Sequence, residues 1–129
     1  MEQKKILIVD DDTFLLDMYA LKFSQSGFTV TSALGAMPAL EKLRGGFIPD
    51  ILVTDIVMPV VDGFEMLEKM KQENLAQTSV KVILSNRGQE SDIKRGAELG
   101  VSGYIVKAST TPSEVVAQVT QIAEKKFGK

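Results

Sequence analysis

Several residues that can do chemistry stand directly at the ends of short apolar runs in this sequence. Asp10–Asp12 follow "ILIV", Asp55 follows "ILVT", Ser85 and Asn86 close "VKVILSN", and Lys107 follows "GYIV". The 129 residues include no His and no Cys, so neither imidazole nor thiolate can serve as base, nucleophile or metal ligand. Any chemistry must therefore use carboxylates, hydroxyls, amides and lysines.

The acidic residues favour a site for a hard divalent cation. Carboxylates that lie close together repel one another, and a bound cation removes that repulsion. Oxygen-only acidic sites suit Mg²⁺, which binds one or two carboxylates and takes phosphate oxygens as further ligands. A neighbouring ammonium and hydroxyl would stabilise a phosphoryl group, and a carboxylate can itself accept that group as an acyl phosphate.

The elements that must position these residues are five strands alternating with five helices. Continuous apolar or alternating runs predict strands over residues 6–9, 28–33, 50–54, 80–85 and 103–107. Strands that alternate with helices through short connections are typical of a parallel sheet covered on both faces. We therefore expect an α/β fold, a doubly wound (βα)5 sandwich. The flavodoxin-like strand order 2-1-3-4-5 is one of the two common orders for such a sheet, and it is the one expected here.

Helix signals lie between these strands. Phe14, Met18 and Leu21 recur at i, i+4 and i+7, which predicts one face of the first helix, and Gly27 ends it. Further helices are predicted from Pro38 to 43, over 63–73, over 90–100 and after Thr111-Pro112 at the carboxyl end. The last helix has the clearest apolar face, formed by Val115, Val116, Val119, Ile122 and Ala123.

The predicted topology brings the polar strand ends together. Ligands of parallel α/β sheets bind beyond the carboxyl ends of the strands, where the strand order reverses. With order 2-1-3-4-5 the first and third strands are neighbours, so Asp10, Asp11 and Asp55 would share one pocket.

Each of the polar residues, taken alone, also has a simpler interpretation. Asp12 or Thr13 caps a helix, Asp62 caps another, Ser85 is a turn residue, Lys107 is solvated, and Tyr104 is a strand aromatic.

Charge and composition narrow the function classes. The net charge of −2 argues against a nucleic-acid-binding protein. The start "MEQKKILIVDDD" has too few apolar residues before its acids to form a signal peptide or a membrane span, so we expect no membrane insertion and a cytoplasmic location. No linker-like segment interrupts the pattern, which predicts a single domain over residues 1–129.

Four stretches together resemble the receiver domain of two-component response regulators, and in size its stand-alone, CheY-like form: "KKILIVDDD", "PDILVTDIVMPVVDGFEML", "VKVILS" and "GVSGYIVK". The resemblance implies that Asp55 accepts a phosphoryl group from a phosphohistidine of a sensor histidine kinase or histidine phosphotransfer protein. It also implies a Mg²⁺ site in which Asp11 and Asp55 bind directly, Asp10 acts mostly through water, and the Val57 backbone carbonyl completes the protein ligands.

The same resemblance assigns a phosphorylation switch. Lys107 would pair with a phosphoryl oxygen, Ser85 would turn its hydroxyl toward the phosphoryl group, and Tyr104 would move with it. The shift would reshape the face of the fourth helix, fifth strand and fifth helix, where a downstream protein binds. Such a domain assists its own phosphorylation and dephosphorylation and turns over no separate substrate.

The chain departs from the family pattern at several positions. Ala108 stands where Pro commonly follows the lysine, so the preceding peptide bond is either a strained cis bond or part of a different loop. Asn86 replaces a small residue after the switch hydroxyl. Val57 and Arg87 occupy variable positions that tune dephosphorylation within the family.

Two other function classes stay open on the residues. A phosphate-independent interaction domain on the same fold is compatible with Ala108 and Asn86. A flavin-binding protein or an Asp-x-Asp phosphatase is disfavoured, because "DDDTF" is acidic and Val57 stands where the phosphatase would have its second acid.

Overall fold

The computed structural model describes residues 4–127 as one parallel sheet with helices on both faces. The strands are β1 (Lys5–Asp10), β2 (Thr29–Leu34), β3 (Ile51–Thr54), β4 (Val80–Ser85) and β5 (Gly103–Val106). The helices are α1 (Thr13–Gln25), α2 (Ala36–Arg44), α3 (Gly63–Gln72), α4 (Glu90–Glu98) and α5 (Pro112–Phe127), and a single 3₁₀ turn covers Lys107–Ser109. The sheet order is β2-β1-β3-β4-β5, which confirms the predicted fold class.

The central strands are apolar because both of their faces are covered. In β1, Ile6 and Ile8 pack into a cluster with α1 and α5, whereas Leu7 and Val9 pack into a second cluster with α2 and α3. A strand alternates its side chains between the two faces of the sheet, so burial on both sides requires a continuous apolar run. This arrangement explains why β1 is apolar from Ile6 to Val9, and β3 from Ile51 to Val53, before each chain segment reaches its aspartate.

The prediction for the buried face of α1 is wrong at two of its three residues, whereas the third, Met18, is partly buried against the core. Phe14 is 76% exposed and Leu21 is 59% exposed, whereas the helix buries Leu16, Tyr19 and Phe23 against the sheet. This helix carries apolar residues on most of its circumference. The spacing of these residues is therefore compatible with either of two buried faces. The buried set includes two aromatic residues, which bury more apolar area than the alternative set.

The helix boundaries follow the capping signals in the sequence. The Asp12 side chain accepts a hydrogen bond from the Leu15 N–H at 3.0 Å, which makes Asp12 the N-cap of α1. Asp62 caps α3 in a reciprocal pair with Glu65. Gly27, just past α1, has φ +95°, a left-handed conformation that glycine adopts without steric cost. Among the described residues, no helix has the length and apolar character needed to cross a membrane.

Candidate functional site

Three carboxylates meet at the carboxyl edge of the sheet. One oxygen from each of Asp10, Asp11 and Asp55 lies within 4.8 Å of the others. Asp10 and Asp55 are buried, and Asp11 is exposed to solvent. Oxygen atoms at this spacing can converge on one divalent cation, and carboxylate oxygens are the ligands that Mg²⁺ prefers in proteins.

The register of β1 and β3 places these acids side by side. Val9 pairs with Thr54, so the next residue of each strand is a buried aspartate. The Asp55 N–H donates to the Val9 carbonyl at 3.0 Å and carries the pairing one residue further. The neighbouring position of the two strands is what the sequence-based topology predicted, and it is the reason that Asp10 and Asp55 meet.

Lys107 connects the two buried carboxylates. Its Nζ donates to Asp10 Oδ2 at 2.7 Å and to Asp55 Oδ2 at 2.8 Å. Burial alone would lower the pKa of Lys107, but the hydrogen bonds and charges of the two carboxylates outweigh burial and raise it. Burial raises the pKa of Asp10, and its hydrogen bond to Lys107 partly opposes that rise. In ionised form, the three carboxylates and one ammonium leave two negative charges in excess, which attracts a cation.

The backbone orients the Asp55 side chain. Asp55 Oδ1 accepts hydrogen bonds from the N–H groups of Ile56 at 2.6 Å and Val57 at 3.3 Å, while Oδ2 faces Lys107. Gly63 makes this loop possible, because a Cβ there would lie 2.2 Å from the Asp55 carbonyl oxygen. The role of the Val57 carbonyl as a metal ligand stays a prediction.

Lys107 reaches the carboxylates without a cis peptide bond. Every peptide bond between residues 4 and 127 is trans, including the one before Ala108. The absence of proline after Lys107 left two alternatives, a strained cis bond or a different loop. The structure shows the different loop. The residues after β5 form a 3₁₀ turn over Lys107–Ser109, and the Lys107 side chain still points to Asp10 and Asp55.

Ser85 and Tyr104 both form hydrogen bonds with the backbone of Arg87. The buried Ser85 Oγ accepts from the Arg87 N–H at 3.2 Å, and the Tyr104 hydroxyl donates to the Arg87 carbonyl. Thr54 pairs with Ile83, so Ser85 lies just beyond the level of Asp55 on the adjacent strand. The structure thus gathers Asp10, Asp11, Asp55 and Lys107 around one point and links Ser85 to Tyr104 next to it.

Sequence reasoning missed the structural position of Arg87. Its guanidinium donates to Asp92 Oδ1 of α4, with Nη2 at 3.0 Å and Nε at 3.3 Å. The sequence carries a weak signal for this pair, since an arginine before a helix and an acid in its first turn are favourably charged neighbours. The two hydrogen bonds of the Arg87 backbone depend on the conformation of the β4–α4 loop, which spacing does not reveal.

The comparison with known proteins gives the family. The model of the "response regulator receiver domain" family matches residues 6–120. The phosphate regulon transcriptional regulatory protein PhoB of Escherichia coli (strain K12) is 29% identical over 119 residues, which are 92% of this chain and 51% of PhoB. The alkaline phosphatase synthesis transcriptional regulatory protein PhoP of Bacillus subtilis (strain 168) is 33% identical over 92% of this chain and 48% of its own length. The chain spans about half the length of these two relatives.

Solved structures agree with this result. A CheY-like receiver domain protein from Methanospirillum hungatei JF-1 superposes with a TM-score of 0.87 at 25% identity over 98% of each chain. The chemotaxis response regulator CheY4 of Vibrio cholerae superposes with a TM-score of 0.84, covering 94% of this chain and 99% of its own, and at 22% identity it supports the fold alone.

The chain belongs to the response regulator receiver domain family. Receiver domains are regulatory signalling modules of two-component systems, and they interact with histidine kinases or phosphotransfer proteins and with downstream targets. The family uses Mg²⁺ at an acidic site, and the cluster of Asp10, Asp11 and Asp55 could hold such an ion.

Proposed function

We propose that this chain is a phosphorylation-switched module whose Asp55 accepts a phosphoryl group from a phosphohistidine on a partner protein. The observation that carries the proposal is the convergence of Asp10, Asp11 and Asp55 on one point, with Lys107 bound to two of them. A carboxylate held beside an ammonium and a cation site is suited to receive a phosphoryl group and to stabilise its charge.

The proposed transfer forms one bond to phosphorus and breaks another. A carboxylate oxygen of Asp55 forms the new O–P bond, the P–N bond of the phosphohistidine breaks, and the leaving imidazole takes up a proton from water. The backbone N–H groups of Ile56 and Val57 hold one carboxylate oxygen, so the attacking group enters in a fixed orientation. Lys107, which donates to Asp55 Oδ2 at 2.8 Å, would pair with a phosphoryl oxygen once Asp55 has lost its negative charge.

The cation site fits Mg²⁺. Asp10, Asp11 and Asp55 supply only oxygen atoms and carry a local excess of negative charge, and the backbone carbonyl of Val57 would be a further ligand. A bound Mg²⁺ supplies positive charge for the phosphoryl oxygens. Asp11 is the exposed carboxylate of the cluster. Of the three, it would therefore replace bound water with the metal ion at the smallest desolvation cost.

The proposed output is a change in a protein-binding face. Ser85 lies on the strand next to Asp55, and its neighbour in the network, Tyr104, lies on β5. A hydroxyl that turns toward the phosphoryl group would alter this network and reshape the face formed by α4, β5 and α5. We propose that a downstream protein binds there.

The experiment uses phosphoramidate, a small donor with the P–N bond of phosphohistidine, together with Mg²⁺. Intact-mass measurement should show the addition of one phosphoryl group to the native chain and none to the Asp55→Asn variant. Asp17→Asn is the matched control, because Asp17 is an exposed aspartate of α1 outside the acidic cluster. Labelling of the Asp55→Asn variant at the native level would contradict the assignment. A folded native chain that takes up no phosphoryl group would instead favour the phosphate-independent interaction domain.

A further inference from the structure

Arg87 binds both residues of the proposed switch and a helix of the proposed output face. Its backbone N–H donates to Ser85 Oγ at 3.2 Å, and its carbonyl accepts from the Tyr104 hydroxyl. Its side chain forms an ion pair with Asp92 at 3.0 Å. One residue therefore connects the end of β4, the middle of β5 and the first turn of α4.

Asp92 is well suited to transmit a movement of Arg87 to α4. It is buried, and its Oδ2 accepts from the Gln89 N–H at 3.3 Å, while Oδ1 accepts two hydrogen bonds from Arg87. The hydrogen bonds from the Arg87 guanidinium lower the pKa of Asp92, so this carboxylate stays ionised near neutral pH. Two charge-assisted hydrogen bonds that converge on one carboxylate oxygen hold the guanidinium against Asp92.

The Ser85 hydroxyl has a partner in the β4–α4 loop that a change of rotamer would remove. In the structure it accepts from the Arg87 N–H. In the proposed function this hydroxyl turns toward a phosphoryl group on Asp55, and a turn to another χ1 rotamer would move Oγ out of reach of that N–H. Arg87 would then lose one of the two hydrogen bonds that hold its backbone to Ser85 and Tyr104, and the Arg87–Asp92 ion pair would pass the displacement to the start of α4.

We propose that Arg87 is a positioning residue that couples the orientation of Ser85 to helix α4 through its ion pair with Asp92. The inference rests on the proposed function, because the movement of Ser85 depends on phosphorylation of Asp55. It adds a route that depends on two residues of this chain, an arginine two residues after the switch hydroxyl and an acid five residues further on.

Arg95 provides a closely matched control. Its side chain is 46% exposed, against 48% for Arg87, and it forms an ion pair with Glu68 of α3 at 3.2 Å. Both guanidinium groups also lie over the Phe64 ring, at 5.9 Å for Arg87 and 4.6 Å for Arg95. The two arginines differ in the feature that matters, because only Arg87 bonds to Ser85 and Tyr104 among the described residues.

The test measures backbone amide chemical shifts of residues 94–98, in α4 beyond the turn that carries Asp92, with and without phosphoramidate and Mg²⁺. In Arg87→Gln, the shift change on phosphorylation should fall about twofold or more relative to the native chain, when the two are compared at the same fraction of phosphorylated chain by intact mass. Arg95→Gln should respond like the native chain. Arg87→Lys, which keeps a positive charge for Asp92, should recover most of the response.

Two results would overturn the inference and leave the proposed function standing. One is a native-sized α4 response in a fully phosphorylated Arg87→Gln variant. The other is an equal loss in Arg95→Gln, which would assign the effect to general α3–α4 packing. A native chain that takes up no phosphoryl group would overturn both proposals, and intact mass distinguishes that case from the other two.

Discussion

At the residue scale, burial and hydrogen-bond partners distinguish the aspartates of the candidate site from the aspartates that cap helices. Asp10 and Asp55 are buried and share one lysine, whereas Asp12 and Asp62 cap helices, as the sequence predicted. The sequence could predict which acids meet because strand ends on neighbouring parallel strands are adjacent. It could not predict that the Lys107 ammonium bridges two carboxylates, since that depends on the path of the turn after β5.

The tyrosines give a pH-dependent prediction at this scale. Burial, with the nearby charge of Asp92, raises the pKa of Tyr104 from 10.0 to about 12, and burial also raises the pKa of Tyr19. The folded state therefore favours the neutral phenol of Tyr104. Its contribution to stability is full below pH 10.0 and is lost as the pH rises through about 12.

Tyrosinate absorbance during an alkaline titration checks this prediction. The chain has two tyrosines and no tryptophan, so the signal is easily assigned. The folded protein should show little tyrosinate at pH 10.0, and Tyr104→Phe should remove the step near pH 12. A folded protein in which Tyr104 is half ionised at pH 10.0 would contradict the described burial.

At the element scale, the loop between β3 and α3 combines close packing with backbone strain. The Gly63 N–H donates to the Ile56 carbonyl at 2.8 Å, and the start of α3 lies against the Asp55 backbone. Val60 adopts φ +70° and is 91% exposed. The sequence predicted that Asp62 caps a helix here, but the strained position of Val60 is a property of the folded loop.

Gly63→Ala should destabilise the protein and disturb the site. The added Cβ would lie 2.2 Å from the Asp55 carbonyl oxygen, so the backbone that carries the proposed acceptor must shift. We expect a loss of about 1–3 kcal/mol in the free energy of unfolding, with slower phosphorylation of Asp55. Urea denaturation and intact-mass time courses measure the two effects.

Gly45→Ala is the control for this variant. Gly45 has an ordinary negative φ of −78°, and a Cβ there meets a backbone oxygen at 3.3 Å. It should cost much less stability and leave phosphorylation unchanged. Equal effects of the two substitutions on phosphorylation would argue against a special fit of Gly63 at Asp55.

Val60→Gly should stabilise the protein. A β-branched residue in the left-handed region carries a steric cost that glycine does not have, although glycine also loses more entropy on folding. We expect a net gain of up to about 1 kcal/mol in the free energy of unfolding. Val57→Gly is the control, because Val57 is also exposed in this loop, at 55%, and does not have a positive φ. A stability loss equal to that of the control would show that Val60 is unstrained.

At the scale of the whole molecule, topology determines which residues can cooperate. The order β2-β1-β3-β4-β5 places the ends of β1 and β3 together, with β4 and β5 following on one side. Alternating strand and helix signals predicted the parallel sheet with helices on both faces, and right-handed crossovers left few strand orders to consider. They did not by themselves select the order 2-1-3-4-5, because another common doubly wound order fits the same alternation. The buried face of α1 was not predictable from spacing, because that helix is apolar on more than one side.

Metal binding should stabilise the fold as a whole. Any ligand that binds only the folded state raises the free energy of unfolding, by about 1.4 kcal/mol at ten times its Kd. The Tm should therefore increase with Mg²⁺ concentration and return to its initial value after chelation. Asp11→Asn should greatly weaken the increase, and Asp17→Asn should retain it. An equal increase in the two variants would indicate that Mg²⁺ acts elsewhere.

Peptide mapping of the chain after incubation with acetyl phosphate, with and without Mg²⁺, measures whether Asp55 is a metal-dependent phosphoryl acceptor. We expect one phosphoryl group on the peptide that contains Asp55, formed with Mg²⁺ and greatly reduced without it. A phosphoryl group on another residue, or labelling of Asp55 that is indifferent to the metal, would show that Asp55 is not such an acceptor.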